Sequence, residues 1–282
     1  MAKQKFNIYE MVTNQIIDSL EKGTVPWAKP WVGGLPMNLI TKKPYRGINV
    51  FLTSLQSFSS PYWLTFKQAK ALKGNIKKGQ KSTAIVFWNF TEKEDEAGNK
   101  KSVGFLRYYS IFNVEQTEGI DYPKNDELEH FEDIVDCEKI TENMPDVPEI
   151  IFGGARASYN VETDEINLPN KENFKSPAEF YSVKYHELIH ATGSENRLNR
   201  PELAETSGMF LRGDDYSNEE LTAEIGASFL TAITGVGEKV IHNQSAYIAG
   251  WLKQLRNDKR LVLSAAGKAQ KAVDYILNQK FS

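Results

Sequence analysis

The run His186-Glu187-Leu188-Ile189-His190 constrains this chain more than any other feature. On a helix, residues i and i+4 share a face, so His186 and His190 can reach one metal ion. Glu187 lies about 100° further round the same helix, near enough to act as general base on a water held by that ion. The flanks specify the helix. Ser176-Pro177-Ala178-Glu179 reads as an N-cap, a proline at the first helical position and a glutamate closing a capping box. Gly193 is a natural residue just past the C-terminus. The spacing predicts a helix over 177–192, with Phe180, Val183, Tyr185, Leu188 and Ile189 as apolar cover. The only other histidines are His130 and His242. Pairing two of so few around a glutamate inside a capped helix points to a metal site rather than to two satisfied side chains.

A catalytic zinc usually takes three protein ligands. No third histidine follows at short spacing, so a carboxylate from a later helix should complete the set. Residues 217–227, Ser-Asn-Glu-Glu-Leu-Thr-Ala-Glu-Ile-Gly-Ala, supply candidates, with Ser217 or Asn218 as cap and Glu220 and Glu224 on one face. This run resembles the Glu-x-x-x-Asp element of gluzincin-type metallopeptidases. The likeness implies Glu220 as ligand and Glu224 as the outer carboxylate that steadies a ligand histidine, with Glu224 the alternative ligand. Glu219 reads as an acid favoured by the positive helix start. Ala223, Gly226 and Ala227 are small, as close approach of two helices requires.

At 282 residues the chain has room for two domains, and its 40 % hydrophobic and 25 % charged content describes a globular protein. No apolar run approaches the length of a membrane span, and the N-terminus lacks the apolar centre of a signal peptide. The single cysteine, Cys137, suits a reducing cytoplasm. Charge is segregated. Residues 1–114 hold 17 Lys and Arg against 7 Asp and Glu, a balance of +10, whereas residues 115–282 hold 17 against 30, a balance of −13. Such asymmetry argues for different partners at the two ends.

Along the chain, apolar spacing predicts helices over 6–22, 47–57 and 66–73, the last capped by Thr65. Residues 82–90 and 102–112 form an antiparallel hairpin around Gly98-Asn99. Trp27 and Trp31 fall in a loop rich in proline and glycine. Residues 115–149, with 13 acidic residues against two lysines, read as a solvated acidic connector. Short strands over 155–159 and 165–168 precede the metal helix, where a strand could align a substrate backbone. Residues 244–257 and 259–279 are two closing helices.

The basic half also holds 17 of 32 aromatic residues. Single-stranded nucleic acid is bound by cationic grooves and by aromatic faces on which bases stack. Trp27, Trp31, Tyr45, Tyr62 and Trp63 are the candidate stacking residues. Lys29, Lys42, Lys43, Arg46, Lys67, Lys70, Lys73, Lys77, Lys78 and Lys81 are the candidate phosphate contacts. Phe87, Phe105 and Phe112 read as core.

Taken together, the two halves resemble the ArdC-type antirestriction proteins of conjugative elements and phages. The resemblance rests on Pro26-Trp27-Ala28-Lys29-Pro30-Trp31, Tyr45-Arg46-Gly47-Ile48-Asn49 and Trp63-Leu64-Thr65-Phe66-Lys67-Gln68 in the first half. In the second it rests on the histidine motif, Arg197-Leu198-Asn199-Arg200 and the run from Glu219 to Ala227. Ala191 departs from it, standing where many relatives carry an aromatic residue. The resemblance implies an α+β fold of two domains. These are a mixed α/β single-stranded-DNA-binding domain at 1–118 and a zincin-like metallopeptidase domain at 149–282, joined by an acidic linker at 119–148. It implies protection of incoming mobile-element DNA from host restriction. One Zn²⁺ per chain would be held by His186, His190 and Glu220, with Glu187 as base and Tyr216 or His242 as oxyanion partner against an unknown protein substrate. Two other readings stay open: a DNA-shielding protein with a structural metal, and a protease that clears proteins crosslinked to DNA.

Overall fold

In the computed structural model, which describes residues 7–28, 35–56, 58–94, 100–123, 135–204, 218–236 and 244–279, the chain opens with helix α1 (Ile8–Glu21). Asn7 caps it by accepting the Tyr9 N–H at 3.1 Å, and Gly23 leaves it with φ +75°. A 3-10 turn (Pro26–Ala28) follows, then β1 (Met37–Asn38), α2 (Ile48–Ser54), β2 (Tyr62–Leu64) and α3 (Phe66–Ala71). Thr65 caps α3, as the sequence predicts, and Gln68 returns the bond to close a capping box. Next come β3 (Asn75–Ile76), the long hairpin of β4 (Thr83–Glu94) and β5 (Lys100–Asn113), and β6 (Thr117–Glu118). Four strands pair in the order β1-β2-β5-β4, with β1 parallel to β2 and the rest antiparallel; β3 and β6 form a separate pair.

The second half begins with α4 (Val135–Asn143), followed by β7 (Glu149–Phe152), β8 (Ser158–Asn160) and β9 (Glu165–Leu168). These strands pair in the order β7-β9-β8, β7 parallel and β8 antiparallel to β9. Helices α5 (Pro177–Ala191), α6 (Pro201–Ala204), α7 (Asn218–Thr234), α8 (Gln244–Asn257) and α9 (Leu261–Ile276) complete the chain.

One hydrophobic cluster runs through both halves. It joins Val12, Ile16 and Leu20 of α1 and Phe51 of α2 to Tyr185, Leu188, Phe229, Trp251 and Val273 of the later helices. Phe51 stacks on Phe229 with ring centroids 5.3 Å apart. Polar ties reinforce the seam. The Gly47 N–H donates to Gln270 Oε1 at 2.9 Å, Thr13 Oγ1 donates to the Lys259 carbonyl at 2.8 Å, and Arg46 pairs with Asp274.

Several expectations change here. Trp27, Tyr45 and Trp63 are buried, at 3 %, 8 % and 2 % exposure, and so offer no face to a base. Trp27 meets Phe51 and Trp251 edge-on at 6.2 and 6.0 Å. Tyr62 and Trp63 lie on β2, a strand covered by neighbours on both edges, which buries them in two different clusters. The acidic connector is not wholly solvated, because α4 lies within it and buries Cys137, Ile140 and, just beyond, Met144. Phe87 is exposed rather than core, while Phe105 and Phe112 are half-buried. Lys29, Trp31, His130, Tyr216, Ser217 and His242 lie outside the described residues.

Candidate metal centre

Helix α5 starts where its sequence says. Ser176 accepts the Glu179 N–H at 3.2 Å and Pro177 occupies the first turn. The reciprocal arm lands one residue early, with Glu179 Oε2 accepting the Lys175 N–H at 2.7 Å. The helix buries Tyr185, Leu188, Ile189 and Ala191 completely and turns His186 and His190 together, ring centroids 4.7 Å apart. From the back it is held by Glu138 of α4, which accepts from Lys184 at 2.7 Å and from Tyr181 at 3.0 Å.

Helix α7 brings Glu220 to the same point. One donor atom from each of His186, His190 and Glu220 lies within 4.8 Å of the others, the one such convergence among the described residues. The two Nε2 atoms are 3.1 Å apart, His190 Nε2 is 3.4 Å from Glu220 Oε1, and His186 Nε2 is 3.5 Å from Glu220 Oε2. Zinc bonds of roughly 2.0–2.2 Å to nitrogen and oxygen give a tetrahedron with edges of about 3.3–3.5 Å. The observed separations, measured to one or the other oxygen of Glu220, run from 3.1 to 3.5 Å and are close to that size, so these residues fit a divalent cation with one vertex left for a non-protein ligand. Charge agrees with geometry. Burial opposes protonation of both imidazoles, yet the carboxylates beside them hold both pKa values above the ordinary range. Burial likewise pushes Glu220 up, but its hydrogen bonds with His186 and His190 hold it far below the usual carboxylate value. The centre attracts positive charge.

The carboxylate that lies behind His190 in the structure is Glu219 rather than Glu224. Glu219 is completely buried, and its Oε1 lies 3.2 Å from His190 Nδ1. An ionised carboxylate can only accept, so Nδ1 of His190 carries a proton, and in the neutral ring that a metal would require the Nε2 lone pair faces His186 and Glu220. Arg200 binds the same carboxylate twice, Nε to Oε2 at 2.9 Å and Nη2 to Oε1 at 2.6 Å. Burial alone would raise the Glu219 pKa, but His190 and Arg200 bring it down to about 2. Glu224, further along α7, is half-buried and stands outside the converging set. Arg200 also donates to Thr192 Oγ1 at 2.7 Å and to the Ile189 carbonyl at 2.6 Å, closing the end of α5. The signal for both residues was present in Arg197-Leu198-Asn199-Arg200 and in the paired acids of α7, although no motif rule ranks Glu219 above Glu224.

Two glycines make room for this arrangement. A Cβ on Gly226 would lie 2.5 Å from Ile189 Cδ1, so α7 approaches α5 as closely as a bare backbone allows. Gly193 stands just past the end of α5, as its sequence position suggests, without a positive φ. Its role is space, since a Cβ there would lie 2.8 Å from Arg200 Nη2. Arg197 clips the adjoining sheet to the same helix end. It grips Asp164 with two bonds of 2.7 Å and donates to the carbonyls of Asp146 and Ala191.

The candidate phosphate contacts divide. Lys42, Lys43, Lys67, Lys70, Lys77, Lys78 and Lys81 are exposed. Arg46 is half-buried and paired with Asp274, which commits its charge to the seam between the halves. Among the described residues, no helix is long and apolar enough to cross a membrane.

Helix-borne imidazoles met by a carboxylate from a second helix, beside a small mixed sheet, define a zincin-like domain, and a family described as zincin-like metallopeptidase matches residues 138–268. The N-terminal domain of anti-restriction factor ArdC matches residues 6–112. The solved ArdC antirestriction protein from plasmid R388, in its metal-free structure, is 35 % identical with a TM-score of 0.77, covering 98 % of this chain and all of that one. The Mn(II)-bound structure of the same protein is 33 % identical with the same TM-score, covering 97 % and 98 %. The uncharacterized protein y4eC of Sinorhizobium fredii (strain NBRC 101917 / NGR234) is 30 % identical over 97 % of this chain and 92 % of its own length. The chain therefore belongs to the ArdC antirestriction family. It is also 33 % identical to two Escherichia coli proteins named DNA primase TraC, of which it spans only 20 % and 28 %.

Proposed function

We propose that this protein binds single-stranded DNA through its basic half and hydrolyses peptide bonds at one zinc ion held by His186, His190 and Glu220. By this reading it works in the cytoplasm and protects incoming mobile-element DNA from host restriction. The DNA-binding part is placed at residues 1–118 and the metallopeptidase part at 149–282. The carrying observation is the triangle of donors beside Glu187. A zinc ion bound there supplies Lewis acidity, polarising a carbonyl and making water a better nucleophile. The remaining work belongs to side chains of this chain. Glu187 sits on the same helix turn as the ligands and is buried there. It is the base that takes a proton from the attacking water and passes it to the departing amine nitrogen. Glu219 and Arg200 keep His190 in the tautomer that binds metal. His186 and Glu220 keep about a fifth of their side-chain surface in solvent, enough for a substrate to approach.

The R388 relative is known both metal-free and with Mn(II), at the same TM-score to this chain, which supports a metal that serves chemistry rather than folding. Glu187→Gln tests the reading because it spares every ligand and removes the base. The expected result is full metal content by mass spectrometry, no digestion of a quenched peptide library, and lost protection of transferred DNA. If protection persists undiminished in this variant, catalysis is not how the protein acts. Shielding of DNA with a structural metal then becomes the better account.

A further inference from the structure

The basic half leaves large aromatic side chains in water that its core does not use. Trp88 is 56 % exposed and Phe90 71 %, and Phe87, Tyr108 and Tyr109 are exposed as well. All five lie on the β4–β5 hairpin, beyond the point where Ile85, Val86 and Ile111 enter the core. Phe87 stands opposite Arg107, Trp88 opposite Leu106 and Phe90 opposite Gly104. Paired residues of an antiparallel ladder share a face, so Trp88, Phe90 and Gly104 occupy one side. A Cβ on Gly104 would lie 3.1 Å from Phe90 Cε1 and 3.3 Å from Trp88 Cε3, so both rings rest against bare backbone. On the opposite side Phe87 meets Tyr109 edge-on at 5.6 Å, and the Arg107 guanidinium sits 5.2 Å from the centre of the Phe105 ring.

An exposed aromatic patch of this kind marks a binding surface. Its occupant follows from charge. Residues 22–91 contain eleven Lys and Arg and no Asp or Glu, and Lys77, Lys78 and Lys81 are exposed on the segment that leads into β4. A polyanion with flat apolar faces satisfies both features at once. We infer that the β4–β5 hairpin is the base-stacking platform for single-stranded nucleic acid. Trp88 and Phe90 form the platform, while the lysines at the root of the hairpin hold phosphates. This rests on the DNA-binding reading above and moves stacking from the buried Trp27, Tyr45 and Trp63 to the hairpin.

The test titrates the full chain with a fluorescent twenty-nucleotide oligo-dT. W88A/F90A should weaken binding about thirtyfold or more, since each lost stack is worth roughly five- to a hundredfold. The slope of log Kd against log salt should not change, because the phosphate contacts remain, whereas K77A/K78A/K81A should flatten it. W88F/F90Y, which keeps two rings, should retain most of the affinity. Among the described residues Trp88 is the one exposed tryptophan, so oligo-dT should quench its emission. Normal oligo-dT binding by W88A/F90A overturns the platform while leaving DNA binding intact. Failure of the unaltered protein to bind oligo-dT removes the DNA reading and the platform together. Loss of a wild-type dimer in W88A/F90A, with unchanged DNA affinity, would make the patch a contact between copies and also overturns the proposal.

Discussion

Arg200 and Glu219 form a forked ion pair wholly out of water, with contacts of 2.9 and 2.6 Å. The carboxylate stands directly behind His190, 3.2 Å from its Nδ1. A guanidinium that anchors an acid that orients an imidazole is a chain of positioning in which each group fixes the next. Breaking a buried pair by removing one partner leaves an uncompensated charge and costs about 3–5 kcal/mol. Arg200→Ala should therefore lower the urea midpoint of unfolding by a large fraction of the total stability. An unchanged midpoint would show that Glu219 is neutral or otherwise compensated.

The assignment of the outer carboxylate to Glu219 rather than Glu224 has a direct check. Glu219→Gln should reduce metal affinity by about 10–100-fold in competition with a chromogenic chelator. Glu224→Gln should leave it within about twofold by the same reasoning. Reversal of that order would restore the arrangement that the sequence alone suggested.

Gly226 sets the distance between the helices that carry the ligands. Gly226→Ala drives a methyl group into Ile189, an overpacking expected to cost about 1–3 kcal/mol and to loosen metal binding by parting the imidazoles from Glu220. Thermal unfolding and chelator competition would both register it. Trimming the neighbour in the double variant G226A/I189A should recover part of the metal affinity, and no recovery would place the damage elsewhere.

Acid should weaken the support behind α5. Burial pushes the Glu138 carboxyl up, but Lys184, Tyr181 and Lys171 outweigh it and hold its pKa at about 2, below the ordinary 4.5. A depressed folded value means that the contribution is complete above about pH 4.5 and is lost as the pH falls towards 2. Asp164, lowered by Arg197, acts with the same sign. Because the Glu138 side chain is 38 % exposed, solvent screens much of the effect. Unfolding free energy measured from pH 6 to pH 2 should fall less steeply in Glu138→Gln, and identical slopes would exclude the contact as a source of acid sensitivity.

Trp27 separates two accounts of one residue. A buried tryptophan cut to alanine costs about 3–5 kcal/mol, so W27A should lower the unfolding midpoint sharply. Affinity for oligo-dT, measured where the variant remains folded, should stay near that of the unaltered protein. A selective loss of affinity with intact stability would return Trp27 to the binding surface.

The sequence announced local features and withheld relational ones. Helix α5 was legible to within one residue because its cap, proline and apolar stripe are all local; the β4–β5 hairpin was legible as a pairing, although β4 runs four residues beyond its expected end, and Thr65 was legible as the cap of α3. Strand β2 was not legible, since three residues show no periodicity and only their pairing with β1 and β5 makes them a buried strand. Tyr62 and Trp63, candidate stacking residues by sequence, are buried for that reason. The sequence favours Glu224 over Glu219 as the outer carboxylate, but the choice depends on the rotational phase of α7 against α5, which the contact of Gly226 with Ile189 decides. Phe87 was misplaced because alternation marks a strand without saying where its cover ends.

The stacking of Phe51 on Phe229, with Trp27 wedged between Phe51 and Trp251, means that cutting this chain at its acidic stretch would not release two independent folds. Each fragment would carry one flank of an oily joint and lose the partner that keeps it dry. A swap of either fragment for that of a cousin would succeed only if those four rings were exchanged along with it.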